Sequence, residues 1–261
     1  MRNSPIAVRR SQAMRNYVIL ALILCIGLCT LPDLSQSVNT VSLATLDWEP
    51  YIGEKLKDQG YVAALVKESY RASGYTSELK FMPWARVVAM AREGKYDGYL
   101  PEYYAETLKK DFLVSDPFPG GPLGFFKRKG ENISFKTLED LKDYTIGVVR
   151  GYVNTEAFDK ASFLEKDVAN NDLTNLKKLV GKRIDLVIAD KFVGLYLLKQ
   201  EMPDKAGEVE FITPPLEEKS LYLCIAKKTP DAEAKLKAFN EGLKIIRDNG
   251  TLSSIMKANG F

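Results

Sequence analysis

The feature that most constrains this chain is a strand–helix rhythm that runs, breaks once and starts again. "VSLATL" (41–46) reads as a strand. "YVAALVKESYRASG" (61–74) reads as a helix, with Val62, Leu65, Val66 and Tyr70 on one face and Gly74 as its stop. "SELKFM" (77–82) is a strand, "WARVVAMAREG" (84–94) a helix and "YDGYL" (96–100) a strand. A Pro/Gly cluster, "DPFPGGPLG" (116–124), interrupts the pattern. It resumes with Thr137 and Asp140 spaced as a capping box, the strand "TIGVV" (145–149) and the helix "LTNLKKLVG" (173–181). Leu186 to Ala189 then form a short apolar strand buried on both faces, closed by Asp190 and followed by the helix "KFVGLYLLKQ". Alternation of this kind specifies α/β layers with largely parallel sheets.

The tail returns. After "ITPPLEEKS" (212–220) come a strand, "LYLCIAKK", and a long helix over 230–250 with Leu236, Phe239, Leu243 and Ile246 on one face. A final helical turn or two follows Gly250. This predicts a discontinuous first lobe, residues 38–122 and 222–261, and a second lobe, 123–221, with crossings near 120–128 and 212–222. Two crossings make a hinge rather than a tether.

Two stretches share one plan. "EGKYDGYLPE" (93–102) and "GKRIDLVIAD" (181–190) each run from a helix-ending Gly-Lys through an Asp and a strand to a terminal acid. Asp97 precedes Glu102, and Asp185 precedes Asp190, by five positions. Chance could produce the likeness. If it is real, two lobes of similar build each carry an acid at the end of a corresponding strand. Open α/β sheets bind ligands outside the carboxyl ends of their strands, so two facing lobes would bring both acids to one cleft.

Residues 17–31 are an uncharged apolar run, preceded by Arg2, Arg9, Arg10 and Arg15 and followed by Ser35 and Ser37. At about 15 residues the run falls short of the roughly 18–20 that span a bilayer. The pattern is that of a cleaved signal peptide over 1–37, with Met14 an alternative start and an uncleaved anchor the competing interpretation. Export, to the periplasm, is the expectation. The chain has 37 basic and 34 acidic residues, and four arginines and Asp33 belong to the leader, which leaves 33 of each sign. A net-neutral mature chain lacks the basic excess of a nucleic-acid binder. Cys224 is its one remaining cysteine, a small core residue in an apolar strand, and there is no histidine. Internal disulfides, His-based triads and His or Cys zinc sites are therefore excluded, and neither metal nor cofactor is expected.

"DWEPY", "GYVAALVKESY", "KYDGYLP", "DFLVSDPF", "TIGVVRGY", "RIDLVIAD" and "EGLKIIRDNGTLSSIMKANG" follow one another along 41–261. In that order and spacing the chain resembles the extracellular solute-binding proteins of amino-acid-type ABC importers, the type II periplasmic binding proteins called family 3. Its "PWAR" helix start looks like a branch whose ligands are less well defined. The resemblance implies two Rossmann-like α/β lobes, a two-strand hinge and a ligand cleft between them. It implies a monomer without catalysis that captures a small polar solute by closing and delivers it to a membrane permease. Relatives on this fold also serve as sensing modules for membrane receptors, and a few are dehydratases acting on cyclic dienyl acids, for which Glu102 or Glu49 would be the candidate general acid.

The family's cleft carries over position by position. Asp190 stands where an Asp pairs with the ligand's ammonium. It also suits the N-cap of the helix beginning near Lys191, and both roles are compatible. The backbone around Gly151 and Tyr152, with Asn154 nearby, matches the helix start that receives a carboxylate. The family Arg that clamps that carboxylate is missing, because its place falls on Leu108 or Lys109 in "YAETLKKDFLVSDP". Arg86 or Arg150 would substitute, or both are solvated surface charges. Trp48, Tyr51, Trp84 and Tyr103 are candidates to stack on the ligand or to pack the rim. Glu102 and Glu49, with Asp190, point to a solute bearing ammonium groups: an amino acid, an amine or a short peptide.

Overall fold

The computed structural model describes residues 39–261, so the leader expected over 1–37 lies outside the described residues. The first lobe is built on β1 (Asn39–Thr45), β2 (Tyr75–Phe81), β3 (Gly98–Glu102), β4 (Phe112–Val114) and β11 (Tyr222–Ala226). These stand in the order β2-β1-β3-β11-β4. β1 runs parallel to β2 and β3, whereas the returning β11 is antiparallel to β3 and β4. Helices α1 (Tyr61–Ala72), α2 (Trp84–Arg92), α6 (Ala232–Asp248) and α7 (Thr251–Ala258) complete it. α6 lies so close on α1 that a Cβ at Gly242 would overlap the carbonyl oxygen of Ser69.

The second lobe holds β5 (Pro122–Arg128), β6 (Thr145–Val149), β7 (Glu165–Ala169), β8 (Leu186–Asp190), β9 (Val209–Phe211) and β10 (Glu217–Glu218). Among the described residues its sheet runs β10-β5-β8-β6-β7, with β9 also on β5. Helices α3 (Glu156–Lys160), α4 (Asp172–Val180) and α5 (Lys191–Glu201) alternate with the parallel strands.

The likeness between 93–102 and 181–190 is structural. β3 pairs with β1 through Leu43 and Gly98, and β8 pairs with β6 through Ile146 and Leu186. One residue earlier, Asp97 N–H donates to Ser42 O at 2.8 Å while the Asp97 carboxylate accepts from Ser42 N–H at 2.8 Å. Asp185 does the same with Thr145, at 2.9 and 3.0 Å. Each carboxylate thus extends a parallel ladder by one rung, and each also meets a cation, Lys235 or Arg128. Because the Asp97 side chain takes the place of a backbone acceptor, the strand expected over 96–100 begins two residues later and carries Pro101 and Glu102 to its end.

Where the chain crosses between the sheets, Phe118 and Leu221 exchange backbone hydrogen bonds, each of 2.9 Å, and Lys219 N–H donates to Gly121 O. The two passages approach so closely that a Cβ at Gly120 would overlap Lys219 O, which explains the glycine there. One hydrophobic cluster runs through both lobes, joining Leu43, Tyr99 and Phe118 to Phe125, Ile146 and Ile188. A smaller one, around Phe126, Leu176 and Val187, is confined to the second lobe.

Candidate functional site

The carboxyl ends of β1, β3, β6 and β8 meet between the lobes, and the segments that follow them supply the cleft. Asp190 ends β8 and caps α5: its Oδ1 accepts from Phe192 N–H at 2.8 Å and Val193 N–H at 3.2 Å. Tyr51 Oη, from the first lobe, donates to the same carboxylate at 3.0–3.1 Å, and Tyr103 Oη donates to Oδ2 at 3.0 Å. Burial nonetheless outweighs these donors and pushes the Asp190 carboxyl up to about 6. A third bond across the cleft runs from Trp84 Nε1 to Gly151 O, 3.0 Å. The lobes are closed on each other.

Glu102, at the end of β3, is buried; it accepts from Tyr99 Oη at 3.0 Å and from Tyr103 N–H at 2.9 Å. Desolvation pushes its carboxyl up to about 8, so at neutral pH it is mainly the uncharged acid. It faces a small void of about 30 Å³ shared with Leu46, Trp48, Trp84, Tyr103 and Tyr152. That is room for a water or two.

A larger cavity, about 390 Å³, opens beside it and is walled by Trp48, Trp84 and Tyr152. Asp47, Glu49, Glu54 and Asp172 line it, and among the described residues no Lys or Arg does. Asp172 opens α4 and is buried; Tyr152 Oη donates to its Oδ2 at 3.1 Å. Burial is the main cause that raises its carboxyl to about 6, assisted by the Asp190 charge and opposed by Tyr152, its own backbone N–H and the Trp48 indole. The half-buried Glu49 is raised as well, chiefly by desolvation.

Of the residues nominated from sequence, Trp48, Glu49, Trp84 and Tyr152 line the larger cavity, while Glu102 and Tyr103 border the small one. Tyr51, Asp190 and Gly151 lie in the bonds that join the lobes. Arg86 and Arg150 are exposed and border neither cavity. The segment after "GVVRG" is a turn and not the expected helix start, for the helix begins at Glu156 behind its N-cap Thr155. Tyr152 N–H donates to Val149 O, and Asn154 gives both its backbone N–H and its side-chain amide to Asp159. No sequence pattern singles out Asp47, Glu54 or Asp172. Asp172 follows Asn171, the N-cap of α4, and an acid in a first helical turn ordinarily reads as a partner of the helix dipole.

The profile of the bacterial extracellular solute-binding proteins, family 3, matches residues 43–259. The chain belongs to this family. Among curated relatives, the binding protein is 23% identical over 206 residues to the L-cystine-binding protein TcyJ of Escherichia coli K12, covering 78% of this chain and 74% of that one. Its fold is that of an ancestral arginine-binding protein bound to arginine, with a TM-score of 0.72, 24% identity, and 85% of this chain and 99% of that one covered. It also matches a histidine kinase sensor domain with similarity to periplasmic binding proteins, with a TM-score of 0.74, 18% identity, and coverage of 85% and 96%. The two sheets and the paired strands between them are thus those of the type II periplasmic binding fold.

Proposed function

We propose that this chain is exported to the periplasm, captures a small amine-bearing solute by closure of its two lobes, and delivers it to the permease of an ABC importer. The observation that carries this reading is the cleft cavity, which four carboxylates and four aromatic side chains line and, among the described residues, no Lys or Arg does. Water leaves such a cleft on closure, and an ion pair inside it strengthens. The relatives named for cystine and arginine support a solute of amino-acid size. A second reading, a sensing module, is favoured by the likeness to the kinase sensor domain. Genes for a permease and an ATPase beside this one would favour import. A dehydratase acting on cyclic dienyl acids is disfavoured, because neither cavity offers a cation to a carboxylate, even though Glu102 holds a proton.

The test is thermal unfolding of the exported protein against amino acids, polyamines, dipeptides and organic acids. A solute at about 1,000 times its dissociation constant adds about 4 kcal/mol, a shift on the order of 8–16 °C at this size. Amines or basic amino acids are expected to give the largest shifts. Shifts from organic acids alone, or none at all, would overturn the proposal.

A further inference from the structure

We propose that Asp172, rather than Asp190, seats the solute's cationic group, and that the solute is an amine or guanidine that carries no carboxylate. The inference deepens the solute-binding proposal and rests on it.

Asp190 is already saturated. Two backbone N–H groups and two tyrosine hydroxyls surround its oxygens, and the hydroxyls come from the opposite lobe. An ammonium could reach Asp190 only by displacing Tyr51 and Tyr103, the groups whose bonds hold the lobes together. Asp190 is therefore a latch that reports closure. Glu102 offers no better partner, since both its oxygens are bonded and its charge is largely suppressed at neutral pH.

Asp172 differs on each count. It is 4% exposed, yet it lies on the wall of the larger cavity. Tyr152 Oη donates to Oδ2, and the Trp48 indole N–H also acts on the carboxylate without closing a full hydrogen bond. Across the cavity stand Trp48 and Trp84 of the first lobe, with Trp84 meeting Tyr152 edge-on at 5.7 Å between ring centres. The Trp48 indole is nine-tenths buried, and among the described residues its N–H closes no hydrogen bond. A buried carboxylate that holds one full hydrogen bond and lies beside two indoles is a seat for an organic cation, which gains from the charge and from the ring faces together.

A carboxylate on the same solute would find no cation among the described residues that line the cavity, only the neutral Trp48 N–H and the residues Asn170 and Asn171. Asp47, Glu49 and Glu54 repel it at the rim, and the backbone N–H groups of Tyr152 and Asn154 are already engaged. Burying an unpaired anion is strongly unfavourable.

Agmatine and L-arginine make the test, because they differ only in the α-carboxylate; putrescine serves as a third probe. In calorimetric titrations of the exported protein, agmatine or putrescine is expected to bind at least about tenfold more tightly than L-arginine. Asp172→Asn, which keeps the side chain's shape, should weaken agmatine binding at least about tenfold without lowering the variant's melting temperature in the absence of agmatine. A crystal structure of the wild-type protein with agmatine should place a guanidinium nitrogen within about 3.2 Å of Asp172. Unchanged affinity in Asp172→Asn, tighter binding of L-arginine than of agmatine, or a guanidinium on Asp190 would each refute the seat while leaving solute capture intact. Binding of a solute from another class, with none of the three probes bound, would refute it in the same way. Binding of nothing would remove both proposals.

Discussion

Replacing Glu102 with Gln should make the protein more stable as pH rises, relative to the parent. The reasoning starts from burial. Glu102 is 6% exposed, and its carboxyl rises from an ordinary 4.5 to about 8. Between those values the folded chain holds a proton that the unfolded chain has released. The stabilisation linked to that proton is fully present below 4.5 and is lost as pH climbs through 8. One proton of difference is worth about 1.4 kcal/mol per pH unit, so from pH 6 to pH 8 the parent loses roughly 2–3 kcal/mol through this group alone. Gln has the shape of the protonated acid. Its carbonyl can accept the Tyr103 N–H, and its amide can donate to the Tyr99 hydroxyl oxygen. It never ionises. Urea unfolding of both proteins at pH 6, 7 and 8 measures the gap between them. Asp172 and Asp190 also titrate abnormally, but they are present in both proteins and cancel in the difference. The gap should widen in favour of Glu102→Gln by roughly 2–3 kcal/mol over that range. A gap that stays constant would mean that Glu102 is ionised in the folded state, and the argument for its neutrality would fail.

Two further outcomes are expected. Asp190→Ala removes the acceptor shared by Tyr51 and Tyr103 together with the cap of α5, a cap worth about 1 kcal/mol. Small-angle scattering should then show a larger radius of gyration as the lobes part, and an unchanged radius would rule out the latch. Gly242→Ala forces a methyl against the Ser69 carbonyl where α6 crosses α1, backbone that yields little. A loss of about 1–3 kcal/mol is expected, read as a fall of roughly 2–12 °C in thermal circular dichroism; an unaltered melting point would refute the close packing.

What the sequence determined by itself is local or periodic. The alternation of strand and helix, the Pro/Gly break and the return of the chain are written in apolar spacing and in residues with restricted backbones. So the two sheets and the paired strands between them are legible in the sequence. The matched Asp97 and Asp185 were legible for the same reason, since each acts within a few residues of its own strand start. The role of Asp190 as a helix cap is equally local. Tertiary structure decided which of several acids is free to meet a ligand. Asp190, Glu102 and Asp172 each stand at a strand end or helix start, and nothing in their neighbours along the chain separates them. They are separated by donors arriving from elsewhere: Tyr51 from 139 positions away and Tyr103 from 87 positions away saturate Asp190. By contrast, a single hydroxyl, Tyr152, reaches Asp172. Desolvation acts in the same way, for it depends on everything that closes over a carboxyl. Charge availability in a cleft is a property of the whole enclosure, and a linear pattern carries only the part of it that lies within a turn or a strand.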